Sequence, residues 1–398
     1  MCNKLLNLTI KNFRSLANVH VKTDSLNIFF GPNGAGKSTF LDTIWFIRDC
    51  AIRGVDEASS YRSHGIGALW DGADEGANIS IKLETALAEY EVMFGFSSGR
   101  IEPFVGEKLY SKDLDTVLID RKIGSDKANF YHSMKKQPIE IPLREPEKLA
   151  FTSFMDFEGS SPQAAIELDK ILRFVHYYHS REAHFWGLKN FGSESSHQTL
   201  LFENCKNLWS VLRNLHDKRN VDDRYDRIIA FMRESFPSFK DLLIEQTGPN
   251  TVYGNFIENG LRQPIKASGV SDGHLQMLIF LTTLFSEGKN RFSLLLIDEP
   301  ETSLHPFALS VLAKAIELAA KDWEKQIIIA THSPVLVSQF NPKNILAAEK
   351  DEKGQTSFRR VSDIAEVQDL IEEYAIGSLY MAEMVAKQSR EPVPGEIN

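Results

Sequence analysis

Nine consecutive residues constrain this chain more than any others. Gly31-Pro32-Asn33-Gly34-Ala35-Gly36-Lys37-Ser38-Thr39 follow an apolar run, Leu26 to Phe30, and precede a stretch with helical spacing, residues 38 to 52. A glycine-rich loop ending in Lys-Ser-Thr, between a buried strand and a helix, is the pattern of a phosphate-binding loop. Its glycines let the backbone curl until several N–H groups point at phosphate oxygens. Gly31, Asn33, Gly34, Gly36 and Thr39 are read as the cradle. Lys37 is placed to neutralise the β- and γ-phosphates, and the Ser38 hydroxyl to reach Mg²⁺.

The complement of such a loop is an acidic pair at the end of a second apolar strand. Leu294 to Ile297 delivers Asp298 and Glu299. Asp298 is expected to hold the metal, and Glu299 to act as the general base on water. A third apolar strand, Ile327 to Ala330, leads to Thr331-His332-Ser333. His332 is placed there to sense the γ-phosphate. The cofactors implied are ATP and Mg²⁺.

Around these motifs the hydrophobic period changes along the chain. Leu5 to Lys11 alternates as a strand does. From 79 to 131 the period is two, with turns at Ser98-Gly99 and Gly124, which predicts an antiparallel meander. Residues 140 to 235 read as mostly helical, and Asp217 to Arg227 interleaves both signs of charge, as a solvated helix face does. Strand-like alternation returns at 239 to 266. From Ser271 helices and apolar strands alternate, which implies a parallel sheet covered by helices. One or two amphipathic helices are expected over 362 to 388, and a loose tail after Ser389. The fold class expected is α/β, with a helical insert. Residues 1–138 would form the first part of an ATPase head with the P-loop and the meander. Residues 139–235 would form the insert, and 236–398 would complete the head.

The remaining sequence narrows the surroundings. The net charge of −9 argues against a surface coated for nucleic acid, although it leaves room for a local basic groove. Cys2, Cys50 and Cys205 are far apart and three in number, which fits a reducing cytoplasm rather than a disulfide scaffold. Met1 to Ile10 lacks the apolar core of a signal peptide. The longest apolar stretch, Leu275 to Phe285, is too short to span a bilayer, so no membrane association is expected. His179, Glu182 and His184 lie close in sequence and form a candidate metal set, against the simpler reading as core or surface residues.

In their order these motifs resemble the ATP-binding cassette superfamily in its soluble branch, which includes the SMC, RecF and overcoming-lysogenization-defect (OLD) proteins. Val270-Ser271-Asp272-Gly273-His274 resembles the signature motif of that superfamily, and Glu301 to Pro306 resembles its D-loop. Asn12-Phe13-Arg14-Ser15 is similar to the opening motif of RecF- and OLD-like chains. The resemblance implies that Arg14 helps hold the nucleotide. It also implies that Ser271 and Gly273 contact the γ-phosphate held by the opposite copy, in a head-to-tail dimer. The glutamine of the family's Q-loop has no counterpart between Lys37 and Gln137, although Tyr61 to Gly67 occupies about the right place. The span from Thr39 to Ser268 is far too short for SMC coiled coils. The residues after Lys350 lack the acidic cluster of a Toprim nuclease domain. Three functions are therefore weighed. The first is an ATPase that regulates a partner effector, a nuclease or toxin, in antiphage defence. The alternatives are a RecF-like repair clamp and a transporter ATPase subunit.

Overall fold

The structure, a computed structural model, describes residues 4–157, 162–180, 183–370 and 374–386. A six-stranded sheet carries the nucleotide motifs. Its strands are Leu26–Phe30 (β1), Val175–His179 (β2), Ser293–Asp298 (β3), Lys325–Thr331 (β4), Ile345–Lys350 (β5) and Thr356–Arg360 (β6). The spatial order is β2-β3-β4-β1-β5-β6, with every pairing parallel except β5 with β6. The α/β class is as expected.

The apolar runs are continuous because both faces of this sheet are covered. Phe29, Leu294, Leu296, Ile328 and Ala330 face one core. Ile28, Phe30, Leu295, Ile297, Ile327 and Ile329 face the other. On the first side lies the P-loop helix Lys37–Arg53 (α1), which buries Phe40, Leu41, Ile44, Phe46 and Ile47. Beyond it an eight-stranded antiparallel sheet completes the layer. There the predicted meander, extended to Gln137–Pro142, joins the hairpin Asn7–Phe13 and Leu16–Lys22. Its alternating pattern puts Ile79, Ile81 and Leu83 into the core and leaves Ser80, Lys82 and Glu84 half-exposed. On the second side lie the helices Asp272–Phe285 (α2) and Pro306–Asp322 (α3), together with Leu208–Asp217 and Arg224–Ser235.

Two segments take forms that periodicity did not announce. Residues 139–235 contain not only helices but also β2, an edge strand of the nucleotide sheet, paired in parallel with β3. The run Val-His-Tyr-Tyr-His has too few aliphatic residues to read as a buried parallel strand, yet Val175, His176 and Tyr178 are buried. Among the described residues of the C-terminal stretch, where one or two amphipathic helices are expected, there are 3₁₀ turns at Val361–Asp363 and Ala365–Val367 and one six-residue helix, Ile376–Met381. Tyr380 meets Phe30 edge-on, and Gly377 lies so close to Pro334 that a β-carbon there would sit 2.3 Å from the Pro334 carbonyl oxygen. The tail after Ser389 falls outside the described residues. No described helix is long and apolar enough to cross a membrane.

Candidate nucleotide site

What the P-loop lacks is a side-chain cap. Helix α1 starts at Lys37 behind Gly36, whose φ of 91° is left-handed, and no side chain caps it. The first N–H groups of a helix have no intrahelical acceptor. In α2 and α3 the equivalent groups are met by Ser271 and His305. In α1 they open on a cleft of about 290 Å³ lined by Asn33, Gly34, Gly36, Lys37, Ser38, Thr39, Asp298 and Glu299. A bound anion is the natural acceptor there. Gly36 is also required by packing, because a β-carbon would lie 2.4 Å from the Thr356 hydroxyl. Thr356 is in turn hydrogen-bonded to Ser15 at 2.8 Å, so the N-terminal hairpin braces the back of the loop.

Lys37 is 7% exposed and donates to the carbonyls of Gly31 and Pro32, both at 2.8 Å. Burial pushes its ammonium below the ordinary range, against the pull of the carboxylates of Asp298, Glu301 and Glu299. Asp298 is 1% exposed. Burial raises its carboxyl, opposed by the Ser38 hydroxyl, His179 and Tyr177, while Glu299 raises it further. Ser38 Oγ donates to Asp298 Oδ1 at 3.1 Å. A hydroxyl and a carboxylate touching at the mouth of an anion cleft make a hard-oxygen pair of the kind that holds Mg²⁺. Asp298 is the C-terminal residue of β3. Glu299 follows with φ 51°, a left-handed conformation rare outside glycine, Asn and Asp, and its N–H is tied to the Ala330 carbonyl at 2.9 Å. Such local strain concentrates at functional sites.

His332 stands at the rim, 44% exposed at its side chain. Its Nδ1 is 3.2 Å from Glu301 and 3.9 Å from Glu299. Glu301 accepts from Thr331 Oγ1 at 2.8 Å and from the His332 N–H at 2.9 Å, and so anchors the turn after β4. The other predicted residues lie apart. Arg14 does not line the cleft. It pairs with Asp42 at 3.1 Å and lines a neighbouring cavity of about 570 Å³ with Trp45, Asp49, Arg62 and Tyr177. Ser271 and Gly273 are also outside the cleft. Ser271 caps α2, and a β-carbon on Gly273 would lie 2.5 Å from the Ser303 carbonyl, so the signature and D-loop segments pack against each other. The Tyr61 to Gly67 stretch borders the second cavity, where Arg62 pairs with both Asp42 and Asp49.

The proposed metal set at 179–184 is dispersed. His179 Nε2 turns to Asp298, 3.7 Å away. His184 accepts from the Gly187 N–H and caps a short helix. Glu182 lies outside the described residues, and no group of three metal-ligating side chains is found among those described. Sequence reasoning missed Tyr177, whose hydroxyl donates to Asp298 Oδ2 at 3.0 Å, and the anchoring by Glu301. The signal available was weak: the Tyr177-Tyr178-His179 run, once recognised as a strand, would have placed every second side chain beside Asp298.

A phosphate loop and an acidic strand end on a helix-covered parallel sheet, backed by an antiparallel sheet, define a P-loop domain of the ATPase type. More particularly, the chain belongs to the family described as "AAA domain, putative AbiEii toxin, Type IV TA system", whose model matches residues 26–338. It is 25% identical over 377 residues to Endonuclease GajA of Bacillus cereus (strain VD045), covering 88% of this chain and 59% of that protein. It is 21% identical over 391 residues to the OLD nuclease of Thermus scotoductus (strain ATCC 700910 / SA-01), covering 94% and 68%. Among solved structures, an SMC head bound to the C-winged helix domain of ScpA aligns with TM-score 0.49 and 13% identity, covering 89% of this chain and 96% of that one.

Proposed function

We propose that this chain binds ATP with Mg²⁺ in the P-loop cleft, hydrolyses it, and couples that cycle to an effector of the nuclease or toxin class in antiphage defence. The observation that carries the reading is the cleft itself: Lys37 held by two backbone carbonyls, Ser38 against Asp298, and Glu299 strained at the mouth. The bound metal would supply charge neutralisation at the β- and γ-phosphates. Lys37 would turn from its carbonyls to the phosphates. Ser38 and Asp298 would hold the metal, Glu299 would accept the proton of the attacking water, and His332 would be oriented by Glu301 toward the terminal phosphate.

Ser271 and Gly273 stay outside the cleft of their own chain, which favours their acting on a second copy, head to tail. The relatives named as nucleases, and the toxin in the family description, favour an effector of that class.

Glu299→Gln is the decisive variant. ATP binding should be kept, turnover should fall about 100-fold or more, and an ATP-bound dimer should accumulate in light scattering. Wild-type turnover would show that the base is misassigned. A monomer in saturating ATP would remove the trans role of Ser271. Pull-down of the ATP-locked variant from cells carrying its neighbouring genes tests the effector. A stoichiometric nuclease or toxin supports the reading, and recovery of bare dimer on gapped DNA favours a repair clamp.

A further inference from the structure

Both oxygens of Asp298 are held, and from opposite sides. Ser38, at the start of α1, donates to Oδ1. The other oxygen is met from β2, a strand more than a hundred residues away in sequence. Parallel pairing sets His179 in register with Asp298 and Tyr177 with Leu296. Side chains two apart on a strand share a face, so both Tyr177 and His179 lie on one side of β2. The Tyr177 hydroxyl reaches Asp298 Oδ2 at 3.0 Å, and the His179 imidazole lies 3.7 Å from the same atom. Tyr177 is itself fixed, its ring against Trp45 of α1 with centroids 6.0 Å apart.

We propose that Tyr177 and His179 are positioning residues for the metal: they hold Oδ2 of Asp298 so that Oδ1 and the Ser38 hydroxyl face the ion together. The assignment rests on the Mg-ATP reading of the cleft. A carboxylate at a strand end can rotate about its Cα–Cβ and Cβ–Cγ bonds. Tying one oxygen removes that freedom before the metal arrives, so the ion does not have to supply the ordering. Groups that orient a metal ligand in this way commonly change metal affinity about 10- to 100-fold when removed. Tyr177 also forms part of the wall of the Arg14–Arg62 cavity.

The test measures binding, not turnover. In the full chain carrying Glu299→Gln, a fluorescent ATP analogue is titrated at a series of Mg²⁺ concentrations, with and without Tyr177→Phe or His179→Ala. Phe keeps the ring against Trp45 and removes only the hydroxyl. The expected result is a Mg²⁺ half-saturation raised about tenfold by Tyr177→Phe and less by His179→Ala, with nucleotide affinity in EDTA unchanged. Half-saturation within about twofold of the parent for both variants overturns the proposal. So does an equal loss with and without Mg²⁺, which would mark a purely structural role. If the parent chain itself binds no nucleotide, or binds it independently of Mg²⁺, the ATP-Mg²⁺ reading falls first and this assignment with it.

Discussion

Two buried charged centres in this molecule look alike in composition and differ in what surrounds them. Glu107 and Arg121, both fully buried at their side chains, pair at 3.3 Å inside the antiparallel sheet layer. Glu107 also accepts from the N–H groups of Ala150 and Phe151 and from the Tyr90 hydroxyl, and Arg121 donates to the carbonyls of Ser125, Pro146 and Lys148. Burial pushes the Glu107 carboxyl up, against those hydrogen bonds and the Arg121 charge. The protein meets this pair with hydrogen bonds from several sides. Lys37 and Asp298 are also buried, but the ammonium leans on carbonyls that are poor substitutes for an anion, next to an open cleft. A saturated centre holds two layers together. One whose ammonium leans on backbone carbonyls at the edge of a cleft is built for a ligand.

That contrast breaks first if the two centres respond alike to mutation. Lys37→Ala should weaken ATP binding about 100-fold or more, since several charge-assisted hydrogen bonds are lost together, with no loss of folding stability in urea. Arg121→Met should do the reverse. It strands a buried carboxylate and should cost about 3–5 kcal/mol of stability by denaturant titration, while the surviving folded fraction binds nucleotide as before. If Arg121→Met lowers affinity and leaves stability intact, the division into structural and ligand-binding charge is wrong.

The smallest expected effect belongs to an intermediate case, His274. Its Nδ1 meets Ser271 Oγ at 2.8 Å and its ring stacks on Phe236 at 3.9 Å, while Nε2 has no partner among the described residues. Burial lowers its pKa. The unfolded chain therefore takes up the proton first. The neutral ring's contribution is whole above the unfolded value, about 6.5, and is lost as pH falls from there toward the folded value. The thermal midpoint should decline over that window, and His274→Gln should flatten the decline. An unchanged slope would show that the histidine is not the group responsible.

Much of the candidate cleft's local form was readable because its parts are contiguous. Gly31 to Thr39 encodes its own curvature through glycines at positive φ, and the following helix begins at Lys37 and Ser38. Leu294 to Asp298 and Ile327 to Thr331 are recognisable by apolar runs that only a sheet covered on both faces would need. The meander declared itself by its period of two. The strand Val175–His179 did not, because its two histidines and two tyrosines mask the aliphatic signal of a buried parallel strand.

What the chain's sequence determined, then, was the chemistry at each strand end and the order in which the ends occur, since loop curvature, strand burial and helix starts depend on neighbouring residues. What only the tertiary structure decided was which ends meet. Parallel pairing of β2 with β3 brings Tyr177 and His179 to Asp298. The turn after β4 brings His332 to Glu301, and the N-terminal hairpin carries Arg14 to Asp42 rather than into the cleft. Those meetings depend on strand register and layer packing between segments tens to hundreds of residues apart. No local pattern specifies them, because the free energy that selects them is gained only when the whole sheet is assembled.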